Sequence, residues 1–327
     1  MKYILLLAFS LLSFQHDVLG QKALGIMLEQ YAYPYPVRFI YPTVEHQQIA
    51  MAYMDVKPET PNGKTVVLLH GKNFPAAYWK GTIDTLTASG YRVIAPDAPG
   101  FGKSSKPVIH YSFSLLSALC AELLDSLQIS RVAVVGHSMG GMLASRFALS
   151  YPERVTHLVL EDALGLEDWR SKGVPYRKVD EWFRDEQNAT AESIRKYHQT
   201  SYYPVWKESY SEWIAVQAGM KADSNRKQLD WVNALTYDMI FNQPVVHEFP
   251  HIKVPTLVVV GSEDKTRLAR GADEKLTESL GNYRKLGKEA AAAIPGSRLI
   301  VYEGIGHIPH LEIPARFHSD LIHFLGR

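Results

Sequence analysis

The stretch Gly136-His137-Ser138-Met139-Gly140-Gly141 determines how the rest of the chain is interpreted. An apolar run of residues 132–135 precedes it, and a run with helical spacing, 142–149, follows it. Gly-x-Ser-x-Gly between a strand and a helix is typical of a serine held on a sharp, strained turn. The positions two before and two after Ser138 must then be almost free of side chain, and glycine occupies both. The sequence predicts that Ser138 projects above a sheet as a nucleophile.

Short β-branched apolar runs on both sides of this turn predict a mostly parallel sheet. Helical patterns at 81–89, 112–127 and 139–150 alternate with the runs, which is the order of a doubly wound α/β fold. Two stretches near the start, 38–41 and 48–54, predict an antiparallel hairpin at the sheet edge. The runs predicted to be strands are residues 65–69, 92–95, 131–135, 155–160, 256–260 and 298–301.

The alternation stops for almost ninety residues in the middle of the chain. We therefore predict an α/β core made of residues 21–162 and 250–327, interrupted by a helical cap at residues 163–249. The stretch 271–296 is longer than one connecting helix needs. It predicts either an added helix at the mouth of a pocket or a longer surface helix.

The cap is rich in aromatic side chains, and one turn in it is a candidate for the lining of a substrate pocket. Tyr202, Tyr203 and Trp206 flank Pro204, and a proline makes a helix interior unfavourable there. An aromatic lining would suit apolar or aromatic substrates. The alternative is that these rings form the core of the cap itself.

The first twenty residues predict a signal peptide. Lys2 precedes the apolar run 3–14, and Val18-Leu19-Gly20 offers a small-residue cleavage site. This run is shorter than the about 20 apolar residues of a membrane span. We expect an exported protein, periplasmic or secreted, without stable membrane insertion after cleavage at Gly20. The alternatives are an uncleaved anchor and a plain N-terminal helix.

The composition indicates a large globular core and a local recognition site. The chain has 327 residues, of which 46% are hydrophobic, and a formal net charge of +1. So small a charge gives no field that would gather nucleic acid, and we expect a small-molecule partner. Cys120 is the one cysteine, which excludes an intramolecular disulfide. Without a Cys cluster, His-Glu-x-x-His or Gly-x-Gly-x-x-Gly at the first βα turn, we expect no zinc and no dinucleotide cofactor. The oligomeric state is left open.

Other motifs, taken with the serine turn, resemble those of the α/β-hydrolase superfamily. Residues 68–73, Leu-Leu-His-Gly-Lys-Asn, resemble the family's His-Gly oxyanion loop, and residues 95–104 resemble the turn after its next strand. The resemblance points to a serine esterase of the carboxylesterase type with a helical cap. It implies an oxyanion hole formed by the backbone N–H groups of Lys72 and Met139, and loop-stabilising roles for the side chains of His70, His137 and Asp97.

The general base is predicted to be His307. A serine hydroxyl is a weak nucleophile and needs a base within hydrogen-bond reach. His307 lies in residues 304–314, Gly-Ile-Gly-His-Ile-Pro-His-Leu-Glu-Ile-Pro, which resemble the family's catalytic-histidine segment. His310 is nearby but stands at the wrong position in that pattern.

The acid that orients the histidine should follow a strand and precede the histidine in the chain. Residues 259–264, Val-Val-Gly-Ser-Glu-Asp, place Asp264 in that role, with Glu263 as an adjacent acid. The rival is Asp162, after the preceding predicted strand. If Asp162 were the acid, Asp264→Asn would be nearly as active as the wild type.

These residues predict hydrolysis of small to medium carboxylic esters through an acyl-enzyme. Dehalogenases and epoxide hydrolases of the superfamily carry aspartate at the nucleophile position, and this chain carries serine. Hydrolysis of carbon–carbon bonds in vinylogous diketones, lactone opening and perhydrolysis use the same triad and are the alternatives. A non-catalytic, ligand-binding member of the fold is the alternative outside enzymology.

Overall fold

The computed structural model describes residues 22–326, so the predicted signal peptide lies outside the described part of the chain. A large sheet runs through the centre of this part, with a short two-stranded pair beside it. The strands are β1 Val37–Ile40, β2 Thr43–Val44, β3 Gln47–Gln48, β4 Met51–Val56, β5 Thr65–Leu69, β6 Arg92–Pro96, β7 Val132–His137, β8 Val155–Glu161, β9 Thr256–Gly261 and β10 Arg298–Tyr302.

The large sheet has the strand order β1-β4-β6-β5-β7-β8-β9-β10. β1 and β4 are antiparallel to their neighbours, and from β6 to β10 the strands run parallel. The predicted α/β fold class and the antiparallel edge are confirmed. β5 pairs with β6 on one side and β7 on the other, so strand order reverses there. Ligand sites in open α/β sheets lie at the carboxyl ends of strands at such a reversal.

Helices cover both faces of the sheet. β5 illustrates why its sequence is apolar throughout: Val66 and Leu68 face one layer and Val67 and Leu69 the other. One layer contains α2, α3 and α9, and the other α1 and α11. The helices are α1 Lys80–Ala88, α2 Phe113–Ser126, α3 Met139–Ser150, α4 Val179–Asn188, α5 Ala191–Tyr197, α6 Ser211–Lys221, α7 Arg226–Asn242, α8 Glu274–Ser279, α9 Tyr283–Ala293, α10 Pro309–Glu312 and α11 Pro314–Leu325.

The chain between β8 and β9 carries α4 to α7 and, within the described residues, no strand. The N-terminal arm ties this segment to the rest of the protein: Leu24 N–H donates to the Gly219 carbonyl on α6 at 3.0 Å, and Tyr33 Oη donates to Asp97 beside the sheet at 2.6 Å. None of the helices in residues 22–326 is both long enough and apolar enough to cross a membrane.

The stretch 271–296 contains two short helices, α8 and α9. α9 covers the sheet at β9, where a Cβ added to Gly287 would lie 2.9 Å from Val260. This part of the chain is therefore neither one long surface helix nor a simple connection.

Candidate active site

The turn at Ser138 joins β7 to α3 in a conformation that few residues adopt. Ser138 has φ +56° and ψ −122°, a left-handed region that costs on the order of 1–3 kcal/mol for a residue with a side chain. Its neighbours leave no room for a side chain: a Cβ on Gly136 would lie 2.2 Å from the Gly140 carbonyl oxygen, and one on Gly140 would lie 2.1 Å from the Leu69 carbonyl oxygen. Both glycines are therefore required by close backbone contact.

Hydrogen bonds on both sides hold the Ser138 backbone. Its N–H donates to the Glu161 carbonyl at 3.0 Å, and its carbonyl accepts from Gly141 and Leu164 at 2.9 and 3.0 Å. Gly71, in the loop after β5, lies against the serine, and a Cβ added there would be 3.1 Å from Ser138 Cβ. The strained turn is thus fixed by β8 and by the neighbouring loop.

His307 and Asp264 form a buried pair. His307 Nδ1 lies 2.7 Å from Asp264 Oδ2, and Asp264 Oδ1 accepts from the Thr266 N–H at 2.8 Å. A carboxylate acceptor at Nδ1 favours the tautomer with its proton on that nitrogen and leaves Nε2 with a lone pair. His307 Nε2 is buried and has no hydrogen-bond partner among the described residues. A substrate or serine hydroxyl would find this nitrogen unoccupied.

Asp162 lies at the end of β8, one residue after Glu161, and is close to the pair without contacting the histidine as Asp264 does. Its Oδ1 accepts from the Gly261 N–H at 2.8 Å. One carboxylate oxygen each of Asp162 and Asp264 and one ring nitrogen of His307 all lie within 4.8 Å of one another. Burial, and then the charge of Asp264, raise the pKa of Asp162 well above its usual value. This shift favours the neutral form of Asp162.

Two further histidines lie next to His307, each with other partners. His137 Nδ1 is 2.9 Å from Tyr78 Oη, and its Nε2 is 2.8 Å from the His307 carbonyl. Burial lowers the pKa of His137 well below its usual value, so this ring is neutral. His310 Nδ1 lies 2.9 Å from Glu161 and its ring stacks on Trp79. His310 is thus held by a different acid from the one beside His307.

The loops predicted to carry the oxyanion hole meet at the carboxyl ends of β5 and β7. Met139 is the first residue of α3, so its N–H is among the donors that a helix leaves without an internal partner. Asp97 accepts from Ala76 N–H and Lys103 N–H at 2.7 and 2.8 Å, and His70 Nε2 accepts from Ala98 N–H at 3.1 Å. The contact between His70 and Ala98 joins the two loops, residues 68–73 and 95–104, that were predicted from sequence.

A cavity of about 250 Å³ borders the loop after β5 and extends under the helices between β8 and β9. Residues Lys72 to Pro75 form one wall, next to the Gly71 that contacts Ser138. α7 forms another wall through Leu229, Asn233 and Tyr237, which are four residues apart and share one helix face.

The cavity wall carries a cation that sequence analysis assigned only through its backbone. Lys72 Nζ lies 3.9 Å from the centre of the Tyr237 ring and 3.4 Å from Asn233 Oδ1. Burial lowers the pKa of Lys72 to about 8. Opposite it, Lys221 Nζ donates to Glu186 Oε2 at 2.8 Å. The four-residue spacing on α7 is the sequence signal that would have identified Asn233 and Tyr237.

Tyr202, Tyr203 and Trp206, which the sequence predicted to line a substrate pocket, are not among the described lining residues of this cavity, and neither are Ser138 and His307. The predicted role of the three rings therefore stays a prediction. Tyr202 instead stacks on the His307 ring with centroids 4.7 Å apart, and its carbonyl accepts from His307 N–H. Tyr203 stacks on Tyr210 at 3.8 Å, and Trp206 packs edge-on against both. Proline correctly marked a turn, but the rings of that turn pack on each other and on the site histidine. The cap aromatics that line the cavity are Trp182, Tyr197 and Tyr237.

Comparison with known proteins places this site among hydrolases. The sequence profile described as the alpha/beta hydrolase family matches residues 66–319. A 2-hydroxy-6-oxononadienedioate/2-hydroxy-6-oxononatrienedioate hydrolase from Paraburkholderia phymatum is 31% identical over 280 residues, which are 82% of this chain and 90% of that protein. A 2-hydroxy-6-oxo-6-phenylhexa-2,4-dienoate hydrolase from Comamonas testosteroni is 28% identical, over 82% and 89% of the two chains.

One solved structure is similar over nearly the whole chain. It is that of a probable hydrolytic enzyme from Pseudomonas aeruginosa PAO1, with 46% sequence identity and a TM-score of 0.92. The match covers 94% of this chain and 99% of that one.

Proposed function

Since the chain belongs to the alpha/beta hydrolase family, we propose that it is a serine hydrolase in which Ser138, His307 and Asp264 act as nucleophile, base and orienting acid. The observation that carries this proposal is the 2.7 Å contact between His307 Nδ1 and Asp264, with Nε2 left without a partner. His137, which precedes the strained Ser138 in the chain, brings its ring centroid to 4.7 Å from that of His307. The backbone N–H groups of Lys72 and Met139 are the proposed donors to the oxyanion.

The proposed reaction proceeds in two acyl transfers. Ser138 Oγ attacks the substrate carbonyl carbon while its proton passes to His307 Nε2. The bond to the leaving group breaks, and the leaving group takes the proton from His307. Water then attacks the acyl-enzyme, gives its proton to His307, and releases the acid as Ser138 regains a hydrogen.

We propose a carbon–carbon bond of a 2-hydroxy-6-oxo-dienoate as the bond that is cleaved. The support is that the two relatives compared over about nine-tenths of their length are named for such substrates. In that reaction the leaving group is a conjugated carbon fragment, and the proton from His307 goes to carbon. The sequence had favoured carboxylic esters with carbon–carbon cleavage as an alternative, and the relatives' names favour that alternative.

Carboxylic ester hydrolysis is the second candidate. It needs a single proton carrier at the bond that breaks, and His307 alone supplies this, so no group beyond the proposed triad is required. The leaving alcohol takes the proton on oxygen. This chemical argument supports the ester as a candidate, although the relatives are named for carbon–carbon bond substrates.

The test compares two substrates with wild type and Ser138→Ala. The first is 2-hydroxy-6-oxononadienedioate, whose conjugated chromophore is lost on cleavage, and the second is p-nitrophenyl hexanoate. Faster turnover of the dienoate, lost in Ser138→Ala, supports carbon–carbon hydrolysis. Turnover of the ester alone would select the second candidate.

A protein with neither activity could still be a binding protein of this fold. Labelling with a fluorophosphonate separates this case, because it requires an activated serine. We expect Ser138 to be labelled and Ser138→Ala to remain unlabelled. Absence of labelling in the wild type would refute the triad proposal itself.

We also propose export of the chain with cleavage near Gly20. The support is the basic, apolar and small-residue order of the first twenty residues. Intact-mass measurement of the protein recovered from the periplasm or medium is expected to give a chain beginning near Gln21. Full-length protein retained in the cytoplasm would contradict the proposal.

A further inference from the structure

Lys72 is a cation of the cavity wall whose hydrogen-bonding capacity is largely unused. An ammonium has three N–H donors, and Lys72 Nζ has the 3.4 Å contact to Asn233 Oδ1 and the contact to the face of Tyr237. Among residues 22–326, no carboxylate forms an ion pair with it. The ammonium therefore has donor capacity available to a ligand in the cavity.

The second lysine of the wall differs because its charge is already balanced. Lys221 Nζ donates to Glu186 Oε2 at 2.8 Å and to Asp230 Oδ1 at 2.7 Å. Asn233 Nδ2 donates to the same Glu186 oxygen at 3.0 Å, so this amide stands between Glu186 and Lys72. Glu186 is thus occupied, and Lys72 has no direct counterion among the described residues; Arg267, at another part of the lining, has no ion pair there either.

The position of this cation relates it to the proposed reaction. Lys72 follows Gly71, which lies against Ser138, and its side chain runs from that loop into the cavity. Ser138 itself is not among the described lining residues of the cavity, so the inference requires an acyl chain that extends from a carbonyl at Ser138 past the loop at Gly71 to Lys72 Nζ. A six-carbon diacid, in which four methylene groups separate the two carboxyl carbons, is the probe for this arrangement.

We propose that Lys72 Nζ binds a carboxylate at the far end of the acyl part of the substrate, so that the enzyme selects anionic over neutral acyl chains. This inference rests on the proposed serine hydrolase function and adds the class of substrate. Its physical basis is that burial removes favourable solvation from the ammonium. A charge-assisted hydrogen bond to a carboxylate compensates for that loss. A neutral chain of the same length leaves the ammonium without that contact.

The kinetic test compares mono-p-nitrophenyl adipate, which carries a carboxylate, with p-nitrophenyl hexanoate of equal length. We expect the wild type to favour the adipate ester by about 10- to 100-fold in kcat/KM. In Lys72→Met, the ratio of the two kcat/KM values is expected to be at least tenfold lower than in the wild type. Lys57→Met makes the same change in net charge at an exposed position after β4, and we expect its ratio to stay within about twofold of wild type.

A binding test separates this inference from the proposed chemistry. Calorimetry with Ser138→Ala measures the affinity for monomethyl adipate and for methyl hexanoate without turnover. Adding Lys72→Met is expected to lower the ratio of adipate affinity to hexanoate affinity by tenfold or more. Equal binding of both ligands by Ser138→Ala would overturn the inference even if wild type hydrolyses esters. Selective binding by a protein without turnover would instead support the anion site and refute the proposed function.

Discussion

The turn at Ser138 and the cavity beside it are built in opposite ways. At the turn, glycines leave no space for a Cβ, the Ser138 backbone is bonded on both sides, and His307 is fixed by Asp264. In the cavity, Lys72 touches an aromatic face and one amide. The proposed bond-breaking groups are therefore held by the sheet, whereas the proposed selecting group, Lys72, extends from the loop after β5 to a cavity wall formed by α7.

The largest effect is expected at the turn. Ser138→Ala removes the nucleophile, and we expect kcat to fall by about 10,000-fold or more on any substrate that the wild type hydrolyses. Ser150→Ala, at the exposed end of the same helix α3, is the matched control and should keep wild-type kcat. Comparable activity of both variants would mean that the turn is structural only.

The next effect distinguishes the two neighbouring acids. Asp264→Asn removes the charge beside His307 Nδ1 and should lower kcat by about 1,000- to 10,000-fold. Asp162→Asn replaces a neutral acid by a neutral amide, because the pKa of Asp162 is raised by burial and by Asp264, and should change kcat by less than about tenfold. The reverse ranking of the two variants would make Asp162 the orienting acid.

The cavity should show an effect of intermediate size that depends on pH. Below its pKa of about 8 Lys72 is a cation, and above it the charge is lost. Glu186 raises this pKa and Lys221 lowers it, and Tyr237 stays neutral because burial raises its own pKa well above its usual value. The preference for the adipate ester over the hexanoate ester is therefore expected to fall about tenfold between pH 7 and 9.5. A preference independent of pH over this range would argue against Lys72 as its source.

The smallest effect is expected outside both regions. Trp206 packs against Tyr203 and Tyr210 and not on the cavity. Trp206→Leu should change kcat/KM less than about threefold and lower the melting temperature by a few degrees, as loss of about 1–2 kcal/mol of packing would in a chain of this size. Tyr237→Leu, on the cavity wall, is the comparison variant and should reduce the adipate preference more strongly than Trp206→Leu. An equal loss of preference in both would extend the substrate site to Trp206.

Local pattern accounts for most of what could be predicted about the core. The six central strands were predicted to within two residues at each end, because strands buried on both faces give continuous apolar runs. Gly136 and Gly140 were predicted from a backbone requirement, and the contacts of 2.2 and 2.1 Å explain it. The role of the cap aromatics could not be predicted in this way, because Tyr202 and Trp206 are apolar enough for either a pocket or a small core, and local sequence does not separate these two roles.

The α/β fold, the strained turn at Ser138 and the candidates His307 and Asp264 were predictable from sequence, because each depends on the residue types within a few positions along the chain. The contact of His307 with Asp264 and not Asp162, and the position of Lys72 against a cavity wall built by α7, became evident only in the folded protein. Those contacts join segments more than forty residues apart in the chain. The local sequence around Asp162, Asp264 or Lys72 therefore contains no pattern that predicts which residue each one contacts.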